Sequence, residues 1–169
     1  MREKFEVSAI PSLSNSTLRK LPSDVKIPNY DRSNLTAGIV HIGLGNFHRA
    51  HQSWYLHRLM QQGKAHDWAI VGAGVKEFDK TQRIKLLAQD FLTTLIELSP
   101  GSRSVEIVGS MIDYVPIEDD NAALIAQMAK PEIKIVTLTV TEGGYYIDPV
   151  SKSFDSNHPD IVYDATHPE

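Results

Sequence analysis

The chain has 169 residues, enough for one domain with its own hydrophobic core. Hydrophobic residues make up 41% of the sequence and charged residues 22%, a composition typical of globular proteins and unlike that of disordered chains. The net charge of −4 argues against a protein that binds nucleic acid through a basic face. The lack of cysteine excludes a disulfide scaffold, a thiolate zinc site and a cysteine nucleophile.

The apolar segments of the sequence are short. Runs such as "IVTLTV" fall far below the ~20 residues that a membrane-spanning helix needs. The N-terminus lacks the apolar stretch of a signal peptide. We therefore expect a soluble, cytoplasmic protein that does not contact the membrane.

The first predicted feature in chain order is a polar N-terminal arm. Residues 1–37 contain Pro11, Pro22 and Pro28 and are predicted to precede the folded domain, which we place at 38–169. Within the arm, "SNSTLRKL" could form one short helix.

From the start of the domain, strands and helices alternate. "GIVHIG" predicts a buried first strand, and residues 47–62 predict an amphipathic helix closed by Gly63. "WAIVGAGV" predicts a second strand, and residues 79–89 predict a second helix. The apolar residues expected to face inward from the two helices are Phe47, Ala50, Trp54, Leu56 and Leu59 in the first and Ile84, Leu87 and Ala88 in the second.

The second part of the domain continues the alternation. "FLTTLIEL" and "SVEIVGSMIDYV" flank the turn "SPGSR" and predict a hairpin. "EDDNAALIAQMA" predicts a helix with acidic residues in its first turn, stopped by Pro131, and residues 133–140 predict a last strand. The remaining "IDPVSKSFDSNHPDIVYDATHPE" is predicted to be loop. This order predicts an α/β fold, a Rossmann-like parallel sheet with flanking helices.

The turn between the first strand and the first helix nearly matches the dinucleotide-binding pattern G-x-G-x-x-G. Gly43 would make the tight turn, and Gly45 would let the backbone approach a pyrophosphate resting on the helix N-terminus. His48 occupies the third position and cannot provide the close packing of a glycine. Either the helix stands further from the strand, or Ala50 makes the close contact. Taken alone, this pattern is equally compatible with an ordinary strand-to-helix turn.

The end of the second strand offers an acid for a nucleotide ribose. Glu77 and Asp79 follow "VGAGV", although they lie further from Gly43 than the usual ~20 residues. Asp79 could instead cap the following helix, or do both. The neighbouring Lys76 and Lys80 leave a 2′-phosphate site open, so the spacing favours NAD over NADP only weakly.

Two glycines in "TEGGYY" directly follow the last predicted strand. Open α/β sheets bind ligands at the carboxyl ends of their strands, where glycines allow a ligand close to the backbone. A simple turn without a ligand explains the two glycines equally well.

Four histidines, His41, His48, His51 and His57, lie close together in the sequence. Their spacing does not match the i, i+4 pair of a helical zinc motif, and no nearby acid completes a ligand set. We therefore expect no metal, and histidines that are solvated or hydrogen-bonded to the backbone. The sequence also lacks a G-x-S-x-G elbow and a convincing nucleophile–base pair for hydrolysis.

Taken together, several stretches resemble the mannitol dehydrogenase family of polyol-specific long-chain dehydrogenases. These stretches are "GIVHIGLGNFHRAHQSWYLHRLMQQG", "DWAIVGAGV", "LLAQDFLTTLIEL", "GSMIDYVP" and "IKIVTLTVTEGGYYID". The resemblance runs from about residue 28 to the end, and its most specific parts are G-x-G-x-F-H-R-A-H and T-E-G-G-Y. His48 then belongs to the family's own version of the loop.

The resemblance implies NAD as the cofactor and assigns residues to it. Five residues would line the pyrophosphate: Gly43, Gly45, Asn46, Phe47 and His48. Asp79 would hold the adenosine ribose and favour NAD over NADP. This discrimination would depend on Asp79 alone, because Phe78 stands where the family can carry a second acid. Three residues would sit beside the nicotinamide ribose: Thr141, Glu142 and Gly143.

The resemblance also implies a reaction, the metal-independent transfer of a hydride between NAD and the C2 centre of mannitol or fructose. In the family a lysine acts as general base, and an asparagine and a histidine hold the reacting oxygen, within a K-x(4)-N-x(2)-H pattern of a C-terminal helical domain. This sequence contains neither that pattern nor the family's V-D-R segment. We therefore expect no catalytic residue in this chain, a Rossmann-like fold truncated before its second half is complete, and no activity of the chain alone.

Two classes of function remain open. The first is an NAD-dependent polyol oxidoreductase that acts on mannitol and fructose, with fructuronate (mannonate) reductase or arabinitol dehydrogenase as neighbouring specificities. The second is a non-catalytic, truncated nucleotide-binding module. The expected partners are a small polyol or ketose in the complete enzyme, with neither nucleic acid nor membrane. Without a further strand, "IKIVTLTV" would present an unpaired apolar edge through which copies could associate.

Overall fold

The computed structural model describes residues 12–118, 120–140 and 142–168. The chain divides into two units, the first ending at Leu138 and the second beginning at Thr139. The strands of the first unit are β1 (Val25–Lys26), β2 (Ala37–Ile42), β3 (Ala69–Ala73), β4 (Thr93–Ser99), β5 (Ser102–Val108), β6 (Met111–Tyr114) and β7 (Ile135–Leu138). Its α-helices are α1 (Asn46–Ala50), α2 (Gln52–Met60), α3 (Glu77–Leu87) and α4 (Ala122–Met128).

The main sheet is parallel, with the strand order β6-β3-β2-β7. Val40 of β2 is paired with Val71 on one side and with Val136 on the other, so the first and last predicted strands are neighbours. Ile39 and Val40 belong to different core clusters because successive side chains of a strand point to opposite faces. The predicted Rossmann-like α/β fold is confirmed.

The predicted hairpin forms a second sheet, with β4 and β5 antiparallel and β1 parallel to β5. Its predicted second arm is too long, because the chain leaves β5 at Gly109 and enters the main sheet as β6. A Cβ on Gly109 would lie 2.9 Å from the side chain of Pro28 and 3.0 Å from that of Arg32. The crossing between the two sheets therefore passes directly against the N-terminal segment.

Residues 12–36 of the N-terminal segment lie against the rest of the first unit. Val25 of β1 pairs with Val105 of β5. The guanidinium group of Arg32 donates to the backbone carbonyls of Asp90 at 2.8 Å, Gly109 at 2.9 Å and Met111 at 2.7 Å. One side chain therefore ties this segment to both sheets. Residues 1–11 of the predicted arm lie outside the described residues.

The first predicted helix is broken at His51, whose φ of −120° and ψ of −87° are not helical. Its predicted inward face is also largely wrong. Leu56 is buried as expected, whereas Phe47 is 67% exposed and Leu59 is 43% exposed. The buried positions are otherwise His48, Ser53, His57 and Met60. Three of these are polar side chains; Ser53 and His57 have hydrogen-bonding partners on distant elements and His48 stacks on His41 of β2, which a pattern of hydrophobic residues does not reveal.

The second predicted helix is present as α3, but it also turns a different face to the core. Leu86 is buried, while Ile84, Leu87 and Ala88 are exposed. Arg83 sits on the inward side and donates from Nε to the Tyr114 carbonyl at 3.0 Å. This hydrogen bond to β6 fixes the rotation of the helix.

Two predictions for the C-terminal part need correction. The acidic residues do not lie in the first turn of α4, since the helix starts at Ala122, whose amide donates to Asp120 Oδ1 at 3.0 Å. The second unit contains a helix in the predicted loop, α5 (Pro159–Thr166). Pro159 is at its start and His158 Nδ1 accepts from the Asp160 amide at 3.2 Å, both favourable for a helix N-terminus. None of the described helices is long and apolar enough to cross a membrane.

Candidate functional site

The glycine turn, residues 43–45, lies at the carboxyl end of β2. Gly43 has a φ of +90°, a backbone conformation that favours glycine. Its amide donates to the Ala73 carbonyl of β3 at 3.0 Å, and the Gly45 amide donates to the Gly43 carbonyl at 2.9 Å. The turn is therefore fixed at the point where two neighbouring parallel strands end.

The space beside Gly45 is open. A Cβ built on Gly45 would meet no atom within 4 Å. The backbone of Gly45 is extended, with φ −70° and ψ 178°, a conformation that any residue can adopt. Helix α1 begins at the next residue, Asn46, and the first amides of a helix lack acceptors within it. The side chains of Asn46 and Phe47 are exposed beside the turn. The backbone can thus be approached by a ligand that accepts hydrogen bonds.

His48 fills the third position of the pattern with a buried ring. The ring is 1% exposed and stacks on that of His41 in β2, with centroids 3.6 Å apart and planes 12° from parallel. Its Nδ1 lies 3.0 Å from Gln52 Oε1. Burial, with a smaller contribution from the neighbouring His41, lowers the pKa of His48 from 6.5 to about 3. The helix thus contacts the strand through two neutral rings, and His48 as a whole is buried.

The prediction of solvated or backbone-bonded histidines is wrong for His48, whose ring bonds to the Gln52 side chain, whereas His41 and His57 have backbone partners in Gly43 and Gly109. His41, His48 and His57 are all buried. His51 is exposed, and its Nδ1–H donates to the Phe47 carbonyl at 2.8 Å. Among the described residues, no group of three His, Asp or Glu side chains is arranged to hold a metal ion.

Asp79 caps α3 from within its first turn. Its Oδ2 accepts hydrogen bonds from the amides of Val75 and Lys76, each at 3.1 Å. Gly74 makes room for this carboxylate, since a Cβ there would lie 2.3 Å from the Cβ of Asp79. Gly74 directly follows Ala73, the residue that accepts from the Gly43 amide. The structure thus places Asp79 at the end of the strand beside the glycine turn.

The other charged candidates near Asp79 are exposed. Glu77 and Lys80 form an ion pair with 2.7 Å between Oε2 and Nζ. Phe78 is 70% exposed. Of the residues considered after the second strand, only Asp79 has its carboxylate held by the backbone.

The T-E-G-G loop belongs to the second unit. Residues Glu142–Tyr145 form a 3-10 turn, and a Cβ on Gly143 would meet no atom within 4 Å. Thr141 and the side chain of Glu142 lie outside the described residues. The backbone beside Gly143 is therefore open, as it is at Gly45.

Sequence reasoning missed three residues that shape the site: His41, Gly74 and Thr137. The glycines of "VGAGV" were visible, and a glycine just before a candidate acid could have suggested close backbone packing. The contact between His41 Nδ1 and Thr137 Oγ1, at 2.7 Å, joins β2 to β7 and leaves no local signal in the sequence.

Comparisons with known proteins agree with this geometry. A family model described as the mannitol dehydrogenase Rossmann domain matches residues 37–167. Mannitol 2-dehydrogenase of Cereibacter sphaeroides is 59% identical over 141 residues, which are 83% of this chain and 29% of that protein. Mannitol dehydrogenase DSF1 of Saccharomyces cerevisiae is 41% identical over 166 residues, 98% of this chain and 33% of that protein.

Solved structures give the same result. The ternary complex of Pseudomonas fluorescens mannitol 2-dehydrogenase with NAD and D-mannitol has a TM-score of 0.79 and 42% identity, covering 94% of this chain and 32% of that one. Substrate-free D-sorbitol dehydrogenase has a TM-score of 0.73 and 36% identity, covering 92% of this chain and 32% of that one. The chain thus spans about a third of the length of these relatives. With a glycine turn, a stacked histidine in its third position and a family match over most of its length, the chain belongs to the mannitol dehydrogenase family.

Proposed function

We propose that this chain supplies the NAD-binding part of a polyol dehydrogenase that interconverts mannitol and fructose. The observation that carries the proposal is the open glycine turn at the strand ends, with Asp79 held at the end of the neighbouring strand. A relative with 42% identity has been solved with NAD and D-mannitol bound. When bound, NAD supplies the chemistry by accepting or returning a hydride.

The residues of the turn fit a dinucleotide. The Cβ position at Gly45 is empty and the adjoining backbone is accessible, so a pyrophosphate can approach its amides closely. We assign pyrophosphate contacts to Gly43, Gly45, Asn46, Phe47 and His48, although His48 is buried.

We assign the two ribose positions to different segments of the chain. Asp79 would accept from the hydroxyls of the adenosine ribose and, as an anion, repel the 2′-phosphate of NADP. Thr141, Glu142 and Gly143 would lie beside the nicotinamide ribose. We assign no catalytic residue to this chain, and we expect it to bind NAD without turning over polyol.

Mannitol is favoured as the substrate of the complete enzyme. The relative from Cereibacter sphaeroides, named as a mannitol 2-dehydrogenase, shares 59% identity, compared with 36% for the D-sorbitol dehydrogenase. Fructuronate reductase and arabinitol dehydrogenase activities have no comparable support among these relatives.

The direct test is NAD affinity, measured by calorimetry on the wild-type chain and on Gly45→Ala and Gly45→Val. The backbone of Gly45 suits any residue and its Cβ position is empty, so both variants should fold as the wild type does. We expect Gly45→Ala to weaken binding and Gly45→Val to weaken it by at least about tenfold, because the side chain fills the space of the pyrophosphate. Unchanged affinity in folded Gly45→Val would refute this cofactor site.

Asp79 is tested by the ratio of NAD to NADP affinity. Asp79→Asn keeps an oxygen that can accept from the amides of Val75 and Lys76, whereas Asp79→Ala removes the cap as well. Both should relax the preference for NAD, but only Asp79→Ala should lose about 1 kcal/mol of stability. If neither variant alters the ratio, Asp79 does not select the cofactor.

We also infer that copies of the chain associate through β7. This strand lies at the edge of the main sheet, and Ile135, Val136 and Leu138 are each at least 44% exposed. Charged residues on edge strands oppose such pairing. Sedimentation should therefore show a concentration-dependent oligomer for the wild type and a monomer for Val136→Lys, and a monomeric wild type would exclude the association.

A further inference from the structure

We infer that His41 and Thr137 are positioning residues that hold the glycine turn in shape for the cofactor. The inference rests on the proposed function and extends it to two residues to which no cofactor contact has been assigned. It starts from a network of four side chains, two buried histidines and two half-buried partners, that joins β2, β7 and the α1–α2 segment: His41, His48, Gln52 and Thr137.

The protonation of His41 follows from its partners. Its Nε2 lies 3.2 Å from the Gly43 carbonyl oxygen, which can only accept, so Nε2 must carry the hydrogen. Nδ1 of the neutral ring is then an acceptor. The single hydrogen of the Thr137 hydroxyl then points to this Nδ1, 2.7 Å away, rather than to the more distant Gln52 Oε1 at 3.4 Å. A chain of hydrogen bonds therefore runs from β7 through the His41 ring to the glycine turn.

The protonation of His48 follows in the same way. Its Nδ1 lies 3.0 Å from Gln52 Oε1, an acceptor, so Nδ1 carries the hydrogen and Nε2 does not. Nε2 has no hydrogen-bonding partner among the described residues. A buried acceptor without a partner costs stability, and a native fold retains one where it has another use. Here the ring provides the flat surface on which His41 stacks.

The stack works only while both rings are neutral. Burial lowers the pKa values of both His41 and His48. The two rings then separate helix α1 from strand β2 by one fixed thickness, which a smaller residue would leave unfilled. In the usual dinucleotide fold a third glycine sets this separation.

The effect on the turn comes through one peptide plane. The Gly43 carbonyl and the Leu44 amide belong to the same planar group, so holding the carbonyl also fixes the direction of the N–H. Thr137 anchors the other end of the chain of hydrogen bonds one residue before β7 ends. The strand that leads into the T-E-G-G loop is thereby coupled to the turn that we assign to the pyrophosphate.

The experiment compares three hydroxyl variants for NAD affinity and thermal stability. Thr137→Val keeps the shape and removes the donor, and Thr137→Ser restores it. The control is Ser110→Ala, which removes a buried hydroxyl bonded to Ser53 rather than to the turn. We expect roughly fivefold weaker NAD binding for Thr137→Val, the equivalent of one hydrogen bond, with recovery in Thr137→Ser and no change in Ser110→Ala.

A second measurement, nitrogen NMR of the histidine rings, tests the network without a ligand. It should find hydrogen on Nε2 of His41 and on Nδ1 of His48. Hydrogen on Nδ1 of His41 would overturn the inference, as would wild-type affinity in folded Thr137→Val or an equal loss in Ser110→Ala. If the wild-type chain does not bind NAD, the proposed function fails and this inference fails with it. If the wild type binds and Thr137→Val binds equally well, only this inference fails.

Discussion

Two histidines of the α1–α2 segment, His48 and His57, are equally buried but have opposite kinds of partner. His48 lies among uncharged groups, stacked on His41 and facing the amide of Gln52. His57 lies between the hydroxyl of Tyr30, 2.6 Å from its Nδ1, and the carboxylate of Glu106, 3.5 Å from its Nε2. The same residue type thus serves one site that excludes charge and another that contains it.

The Glu106 cluster consists of Glu106 and the side chains that surround it: Tyr30, Trp54, His57 and Arg58. The indole N–H of Trp54 donates to Glu106 Oε2 at 2.7 Å, and Arg58 lies 3.4 Å from Oε1. Burial lowers the pKa of His57, and the carboxylate of Glu106 opposes that shift. The cluster joins the hairpin, helix α2 and the N-terminal segment through one carboxylate.

The largest of the expected effects on stability comes from removing the charge of Glu106. Glu106→Gln keeps the shape of the side chain but presents an NH₂ group to donors that need an acceptor. We expect a loss of about 2–3 kcal/mol in the free energy of unfolding, measured with urea. Glu97→Gln on the same hairpin is exposed and should change stability by less than ~0.5 kcal/mol. Equal stability of the two variants would mean that the buried carboxylate does not hold the segments together.

At the uncharged site, low pH should lower the stability of the fold through His48. The pKa of His48 is about 3 in the folded chain and 6.5 in the unfolded chain, so between these values the unfolded chain binds the extra proton. Its contribution to stability is complete above pH 6.5 and is lost as the pH falls toward 3, at up to about 1.4 kcal/mol per pH unit.

Urea unfolding as a function of pH measures this loss. His48→Phe should remove this part of the pH dependence, while His51→Phe, at an exposed ring of the same segment, should keep it. The interpretation of His48 as an obligatorily neutral ring would be wrong if both variants lost stability with acid exactly as the wild type does.

The smallest expected effect concerns the hydrogen bond between Tyr30 of the N-terminal segment and His57 of the Glu106 cluster. Tyr30→Phe removes the hydroxyl that donates to His57 Nδ1 and should cost about 1 kcal/mol. Tyr55→Phe removes a hydroxyl from an exposed ring of α2 and should have no measurable effect on urea unfolding. A loss confined to Tyr30→Phe would show that this hydrogen bond anchors the segment, and no difference would show that Arg32 suffices.

Most of the strands and the glycine turn could be predicted because their signals are local. The buried strands β2 and β3 are short apolar runs ending in glycine, and Gly43 needs the positive φ that its position in the turn suggests. The hairpin was visible from the turn residues before Gly101.

The faces of the helices could not be predicted, because polar side chains occupy core positions. Ser53 is buried through its hydrogen bond with Ser110, and His57 through Tyr30 and Glu106. Each partner lies on a distant element, so the hydrophobic pattern alone favours exposed residues such as Leu59 and Ile84. The same reason hides the contribution of Thr137 to the candidate site.

The break at His51 also divides the segment in its dynamics. Helix α1 has only five residues, too few to persist through its own hydrogen bonds, whereas the nine residues of α2 are anchored by Leu56, His57 and Met60. The short helix therefore depends on its single buried residue, His48. Its amides should exchange with deuterium by local opening that leaves α2 intact. If a dinucleotide binds at the proposed site, exchange should slow first at the amides of α1. Deuterium exchange at this short helix would therefore measure cofactor binding.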